Sequence, residues 1–282
     1  MTNRHGTARL RGLAAELIDA RLEANLNTRD AAKAIGVSAA TLNRMENGNR
    51  AVSPEDVAAL LAVYGVTGLE RERVLDLARK ATQPGWWEIT SGSLPEELPA
   101  LITFEAEATR IVHAAMLRIP GLLQTAEYTR AVMTTTGVPD EEANTRVSAR
   151  LGRQAILSKA QPPQYTAIID EAALRRPIGT TGLMIGQLRK LIASAQQPNI
   201  DVRVIPFAHG AHTGLDGSYV LMEFARARDI VHLEHKRSSA FVDQPEDVAP
   251  FHEATDTLLR AALGPADSAD FLADIAADYD QG

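Results

Sequence analysis

Apolar residues recur at helical spacing in the N-terminal third of the chain. One stripe, at Leu10, Leu13 and Leu17, predicts a helix that ends near Asn25. Two later stripes predict helices over about 54–64 and 69–80, and the first of these starts at Ser53 with Pro54 and two acidic residues behind it. We therefore expect an all-helical N-terminal domain.

The segment 28–50, between these helices, has the pattern of two short helices joined by a tight turn. Thr28 and Ser38 are each placed to cap a helix, Gly36 lies where the turn needs a positive φ, and Gly48 is placed to end the second helix. Small or apolar residues that would hold the two helices together are Ala32, Ile35, Val37, Leu42 and Met45. This spacing predicts a helix-turn-helix, whereas two core helices without a binding role are the simpler alternative.

Polar side chains of the second helix are free to point outward, where they can reach base edges and phosphates in a major groove. The sequence predicts DNA contacts at both helix starts and along the second helix. The candidate DNA-binding residues are Arg29, Ser38, Ala39, Ala40, Thr41, Asn43, Arg44, Asn47 and Arg50.

The helical pattern breaks at Gln83-Pro84-Gly85, so we place a domain boundary near 80–85, giving domains 1–82 and 83–282. Trp86 and Trp87 follow at once. We expect this pair to be buried at the junction rather than stacked on a nucleic-acid base, because two adjacent tryptophans at a domain start need burial.

The second domain mixes both periodicities. Helical spacing predicts one helix from Pro95 through Ala115, and strict alternation predicts a strand at Ile200–Val204. Further helices are predicted at 140–159, at 184–195 and after a cap at Asp243, and a short helix is predicted around Phe271 and Ile275. Further strands are predicted at 165–169, 218–224, 230–234 and 240–242. The predicted fold is mainly α: a five-helix head followed by a larger α+β domain with one small sheet.

Composition bounds the function. The chain has 282 residues and no cysteine, which excludes disulfides, a thiolate nucleophile and cysteine-ligated zinc. The net charge is −7, but residues 1–50 carry +3 and the remainder −10, as suits a nucleic-acid-binding head on an acidic body. With no apolar run of membrane-spanning length and no leader pattern, we expect a cytoplasmic protein.

Catalytic patterns are weak. No H-E-x-x-H word and no G-x-S-x-G elbow occur, and on a strand His232 and Glu234 of the word His-Leu-Glu-His would face away from His235. We interpret His209 and His212 as surface or hydrogen-bonding residues rather than metal ligands with Glu223, and Ser218 as a strand-start serine. The expectation is a protein that is not an enzyme and that has no metal and no cofactor.

Several side chains of the body are candidates for contact with a partner or an effector. Arg146, Arg150 and Arg153 advance mostly by helical steps, and they can hold either an anion or neighbouring glutamates. The candidate partner or effector residues are Gln124, Tyr128, Arg150, Arg153, His209 and His212.

The head resembles the phage-repressor-like (XRE) helix-turn-helix family. The family's motif positions fall on Thr28, Ala32, Gly36, Ser38, Leu42 and Met45. That resemblance implies that Arg29, Ala39, Ala40, Thr41 and Asn43 lie nearest the bases. Many members carry glutamine at the two helix starts, whereas this chain has Arg29 and Ala39 there, and Ala40 offers only methyl contact to thymine.

The body is similar, in the words WW, EAEA, PGLLQT-EY, R-x-x-RQ-x-IL, DEAALRRP, VIPF, DGS and EH, to actinobacterial antitoxin-like XRE regulators whose C-terminal half is domain-of-unknown-function family 5753. The resemblance implies a sequence-specific transcriptional regulator, often encoded beside a small acidic BldB-like companion protein. We expect a homodimer on a pseudo-palindromic operator in double-stranded DNA, with a body that responds to a partner protein or a small-molecule effector. The alternative is an antitoxin-like interaction protein that binds the companion, with DNA binding only autoregulatory.

Overall fold

The structure, a computed structural model, describes residues 8–48, 50, 52–82, 98–234 and 239–281. They form two compact units. The first contains the described residues up to 82 with 99–107 and 225–227, and the second contains Leu98 and the described residues of 108–224 and 228–281. Because Trp86 and Trp87 lie outside the described residues, the predicted junction and their burial stay predictions.

Five helices of the first unit follow the predicted apolar stripes. They are α1 (Ala8–Glu23), α2 (Thr28–Ala34), α3 (Ala39–Glu46), α4 (Pro54–Val63) and α5 (Gly68–Thr82). Each helix contributes to one core, which includes Leu17, Ala32, Leu42, Leu60 and Val74. Burying one such leucine or valine stabilises a fold by roughly 1.5–3 kcal/mol, so the shared core accounts for the packing of these short helices.

The remaining elements alternate helices and strands. The helices are α6 (Leu98–Glu107), α7 (Ala126–Thr135), α8 (Asp140–Gln154), α9 (Glu171–Arg175), α10 (Thr181–Ser194), α11 (Pro245–Ala261) and α12 (Pro265–Gln281). The strands are β1 (Arg110–Ala115), β2 (Gln164–Asp170), β3 (Ile200–Ile205), β4 (Tyr219–Glu223), β5 (Ile230–Glu234) and β6 (Ser239–Val242). No helix of the described residues has the length and apolar character needed to cross a membrane.

The six strands form one mixed sheet in the order β3-β2-β1-β4-β5-β6. Strands β1, β2 and β3 are parallel, because the helices between them provide the long crossovers that parallel pairing needs. Strands β4, β5 and β6 are antiparallel neighbours. One face, with Val112, Ile168 and Leu221, packs against Val248 and Leu258 of α11. The predicted single sheet is confirmed.

Three predictions about these elements were wrong. The helix predicted through Ala115 ends at Glu107, and 110–115 forms β1 in the interior of the sheet. Its apolar residues suit both periods, and pairing with β2 and β4 selects the strand. Gln244 rather than Asp243 precedes α11, and the helix around Phe271 and Ile275 runs for 17 residues.

Candidate nucleic-acid interface

The turn between α2 and α3 has the geometry that its sequence predicts. Gly36 adopts φ +73°, and the hydroxyl of Ser38 accepts a hydrogen bond from the backbone N–H of Thr41 at 3.0 Å. Gly48 adopts φ +65° just beyond α3. These features start α3, end it and fix its direction relative to α2.

The first helix is capped one residue earlier than predicted. The side chain of Asn27, not that of Thr28, accepts from the backbone N–H of Asp30 at 2.9 Å. The amide of Asn27 also donates to the Asp30 carboxylate at 2.7 Å. This reciprocal pairing resembles a capping box, and the spacing of Asn27 and Asp30 in the sequence was the signal for it.

Small and apolar side chains on the inner faces hold the two helices together. Ala32, Leu42 and Met45 are buried, and Ile35 and Val37 pack partly buried against the same core. The residues predicted to be internal are therefore internal, which leaves the opposite face of α3 directed away from the core.

The predicted DNA-binding residues all lie on the surface of the first unit. Thr41 is half-buried, and the other eight are exposed: Arg29, Ser38, Ala39, Ala40, Asn43, Arg44, Asn47 and Arg50. A concave surface of about 670 Å³ is lined by Asn27, Thr28, Arg29, Asp30, Ala39, Ala40 and Asn43. This concavity joins the starts of α2 and α3, and it includes Asn27 and Asp30, which the sequence analysis did not select.

Hydrogen bonds hold several of these side chains in place. The hydroxyls of Ser38 and Thr41 lie 2.9 Å apart, and the amide of Asn47 donates to the side-chain oxygen of Asn43 at 2.6 Å. The NH2 group of Asn43 is therefore the part that can donate to a base or a phosphate. A face ordered before binding loses less side-chain entropy when DNA docks.

A buried ion pair fixes the C-terminal end of α3. Glu46, the last residue of α3, is 4% exposed and accepts from the Arg21 guanidinium of α1 at 2.7 Å. The Tyr64 hydroxyl donates to the same carboxylate oxygen at 3.4 Å, and Arg21 also donates to the carbonyl of Leu26. Burial raises the pKa of Tyr64, which keeps its hydroxyl protonated as a donor. Sequence reasoning missed this role because a glutamate at a helix end resembles a surface residue.

A second ion pair connects the outer helices of the same unit. Glu16 of α1 accepts from both terminal nitrogens of Arg73 on α5. Burial by itself raises the pKa of Glu16, but guanidinium contacts, those of Arg73 among them, outweigh burial and lower it. The carboxylate is therefore held in its charged form.

The predicted effector residues of the second unit fall into different environments. Gln124 and Tyr128 are buried. The amide of Gln124 donates to the carbonyl of Ile119 at 2.7 Å, and its oxygen accepts from Arg150 at 2.9 Å. Thr125 caps α7. The PGLLQT-EY word thus builds the connection from β1 to α7.

The two histidines of the Gly-rich connection are not brought together as ligands. The His212 ring is buried, with Nε2 3.0 Å from a carboxylate oxygen of Asp170, while Nδ1 accepts from the backbone N–H of Gly214. His209 is exposed, with its ring centroid 6.4 Å from that of His212. Within the described residues, no group of three or more acidic or histidine side chains could hold a metal ion.

The other candidates for chemistry have structural partners. The Ser218 hydroxyl accepts from the backbone N–H of Met116 at 3.0 Å, and Glu223 pairs with Arg110. Arg146 pairs with Glu142 one helical turn away. His232 is buried on β5, whereas His235 lies outside the described residues.

Two family models match the chain. Residues 13–74 match a model described as Helix-turn-helix domain, so the first unit is of the class that binds DNA and regulates transcription. Residues 98–274 match the model described as Domain of unknown function (DUF5753). That match covers more than half of the sequence, and the chain belongs to this family. Among curated proteins and solved structures, none matches the chain.

Proposed function

We propose that this protein is a sequence-specific transcription regulator that binds double-stranded DNA as a homodimer. Residues 1–82 bind the operator, and residues 83–282 provide dimerisation and the response to a partner protein or a small effector. The observation that carries the proposal is the exposed face of α3 within a helix-turn-helix domain. Such a regulator acts in the cytoplasm, where bacterial-type operators are accessible, and it needs no catalytic activity.

The charge and shape of this face support DNA recognition. Arg29, Arg44 and Arg50 are exposed and can pair with phosphates. Thr41 and Asn43 stand on α3, the second helix of the motif, whose side chains would meet base edges. Ser38 and Asn47 hold Thr41 and Asn43 through the hydrogen bonds described above.

A dimer is expected because one short reading helix contacts too few bases for a useful specificity ratio. Two heads on a pseudo-palindrome would have half-sites about 34 Å apart, one turn of the duplex. The resemblance to XRE regulators supports the same arrangement.

The test is fluorescence anisotropy with duplexes from the DNA upstream of the protein's own gene, measured over a range of salt concentrations. Arg44→Ala and Arg50→Ala should each weaken binding to all sequences and reduce the salt slope by about 0.9. Thr41→Ala and Asn43→Ala should instead reduce discrimination between operator and random DNA, by about 1–3 kcal/mol each.

A matched control is Arg189→Gln, which removes an exposed arginine from α10 in the second unit and should leave DNA affinity unchanged. Unchanged affinity in the double variant Arg44→Ala with Arg50→Ala would refute DNA binding through this face. A stable complex with a small acidic companion protein that never alters DNA affinity would favour the antitoxin-like alternative.

A further inference from the structure

Two exposed asparagines lie one helical turn apart at the end of α3. The backbone N–H of Asn47 donates to the carbonyl of Asn43 at 3.0 Å, and the side-chain NH2 group of Asn47 donates to the same carbonyl at 2.7 Å. Carbonyls in the last turn of a helix have lone pairs that the helix itself leaves without a partner. The Asn47 side chain therefore folds back over the helix end and satisfies one of them.

This contact fixes the orientation of both amides. A carbonyl oxygen can only accept, so the NH2 group of Asn47 and not its oxygen must lie against it. The same NH2 group also donates to Oδ1 of Asn43 at 2.6 Å. Oδ1 of Asn43 is thus turned towards Asn47, and the NH2 group of Asn43 lies on the other side of its planar amide. Within the described part of the chain, that NH2 group makes no hydrogen bond of its own.

Asn43 lies where a helix-turn-helix meets bases. It lines the concave surface at the starts of α2 and α3, together with Arg29, Ala39 and Ala40. The second helix of such a motif enters the major groove. An asparagine there ordinarily pairs with adenine, because its NH2 group donates to N7 while its oxygen accepts from the N6 amino group. That pairing needs both ends of the amide.

The bond from Asn47 leaves Asn43 with a donor for the base. Guanine presents two neighbouring acceptors, N7 and O6, in the major groove, whereas adenine presents one acceptor beside a donor, and cytosine presents a donor. A donor that faces another donor loses its hydrogen bond to water without replacing it. The NH2 group of Asn43 therefore matches the edge of guanine better than the edge of adenine or cytosine.

We infer that Asn43, oriented by Asn47, selects guanine rather than adenine in the operator. This inference rests on the proposed function, since it takes α3 as the helix that enters the groove. Asn47 is then a positioning residue, because it decides which end of the Asn43 amide meets the base.

The test is selection by the full chain from a library of duplexes with a randomised core, followed by fluorescence anisotropy on duplexes that differ at one base pair. The position that Asn43 contacts is the one whose base preference disappears in Asn43→Ala. At that position the parent should bind the guanine duplex about 5- to 10-fold more tightly than the adenine duplex. The matched control Asn144→Ala, at an exposed asparagine of α8 in the second unit, should keep this preference.

Two substitutions of Asn47 distinguish positioning from a merely structural role. Asn47→Ala frees Oδ1 of Asn43, so the adenine duplex should bind at least as tightly as the guanine duplex. In Asn47→Asp the carboxylate can only accept, so Asn43 should turn its NH2 group towards it and its oxygen towards the base. The guanine duplex should then bind more weakly than the adenine duplex. Loss of the helix-end contact alone would weaken both duplexes equally and leave their ratio unchanged, and circular dichroism checks that each variant is folded.

The outcomes separate this inference from the proposed function. If the parent enriches no sequence, sequence-specific DNA binding is refuted and the inference with it. If the parent enriches an operator, three results would overturn the inference alone. They are a preference for adenine at the Asn43 position, a guanine preference that persists in both Asn47 variants, and an Asn43→Ala variant that loses no base preference.

Discussion

The buried ion pair between Arg21 and Glu46 yields a quantitative prediction about α3, the second helix of the helix-turn-helix. Replacing Glu46 with leucine leaves the guanidinium of Arg21, a residue whose side chain is only 11% exposed, without its carboxylate. Removing one partner of a buried pair costs about 3–5 kcal/mol. Arg21 keeps its bond to the Leu26 carbonyl, so we expect the lower end, about 3 kcal/mol.

The cost should be concentrated at α3, since Glu46 connects the end of that helix to α1 and to Tyr64 just after α4. Hydrogen exchange measured by mass spectrometry gives the free energy of local opening peptide by peptide. In Glu46→Leu and in Arg21→Met, the amides of α3 should lose about 3 kcal/mol of protection, roughly a hundredfold faster exchange.

The double variant distinguishes a coupled pair from two independent contacts. With both charges replaced by apolar groups of similar length, neither is left buried alone, and protection should return to within about 1 kcal/mol of the parent. Glu23→Gln, a change at an exposed acid of α1, is the control and should have no effect. Single variants within about 0.5 kcal/mol of the parent would refute the reasoning, since that is the range of ordinary surface substitutions.

Three further predictions concern the stability of the two units. Gly36→Ala should lower the stability of the first unit by about 1–2 kcal/mol in the same exchange experiment, because φ is +73° although no atom obstructs the new methyl group. Gly214→Ala should destabilise the second unit by about 1–3 kcal/mol in thermal unfolding, because its Cβ would lie 2.4 Å from Sδ of the buried Met116. The lowered pKa of Glu16 means that its pairing with Arg73 contributes stability above its unfolded pKa and loses it as the pH falls through the folded pKa. Thermal midpoints measured against pH should therefore fall less steeply in acid for Glu16→Gln than for the parent, and parallel curves would contradict this.

The helix-turn-helix was predictable because its determinants are local. Gly36, Ser38 and Gly48 each specify a backbone feature through neighbours within four residues, and the buried positions follow one helical period. The cap at Asn27 was equally local. It was missed because Thr28, an acceptable cap itself, stands immediately beside it.

Features that depend on pairing between distant segments were not predictable. Residues 110–115 form a strand because β2 and β4 lie on either side, and no local pattern reveals that choice. The register of four strands places the side chains of His113, His232 and Phe241 in one row across the sheet. The sequence alone shows two unrelated histidines. The role of Glu46 was hidden for the same reason, since its partners are distant in sequence, Arg21 in α1 and Tyr64 just after α4.

If the protein binds DNA as proposed, the chemistry of the exposed face of α3 limits how it can select an operator. Ala39 and Ala40 begin α3 and offer methyl contacts alone, while the oxygen of Asn43 is already bonded to Asn47. Direct hydrogen bonding to bases would therefore rest mainly on Thr41 and the NH2 group of Asn43. The exposed arginines would bind phosphates in such a complex, and phosphate contacts position a protein on DNA but carry no sequence information. For the proposed homodimer, selectivity must then draw on duplex shape and on the spacing between two heads, so a body that sets this spacing would contribute to recognition without touching a base.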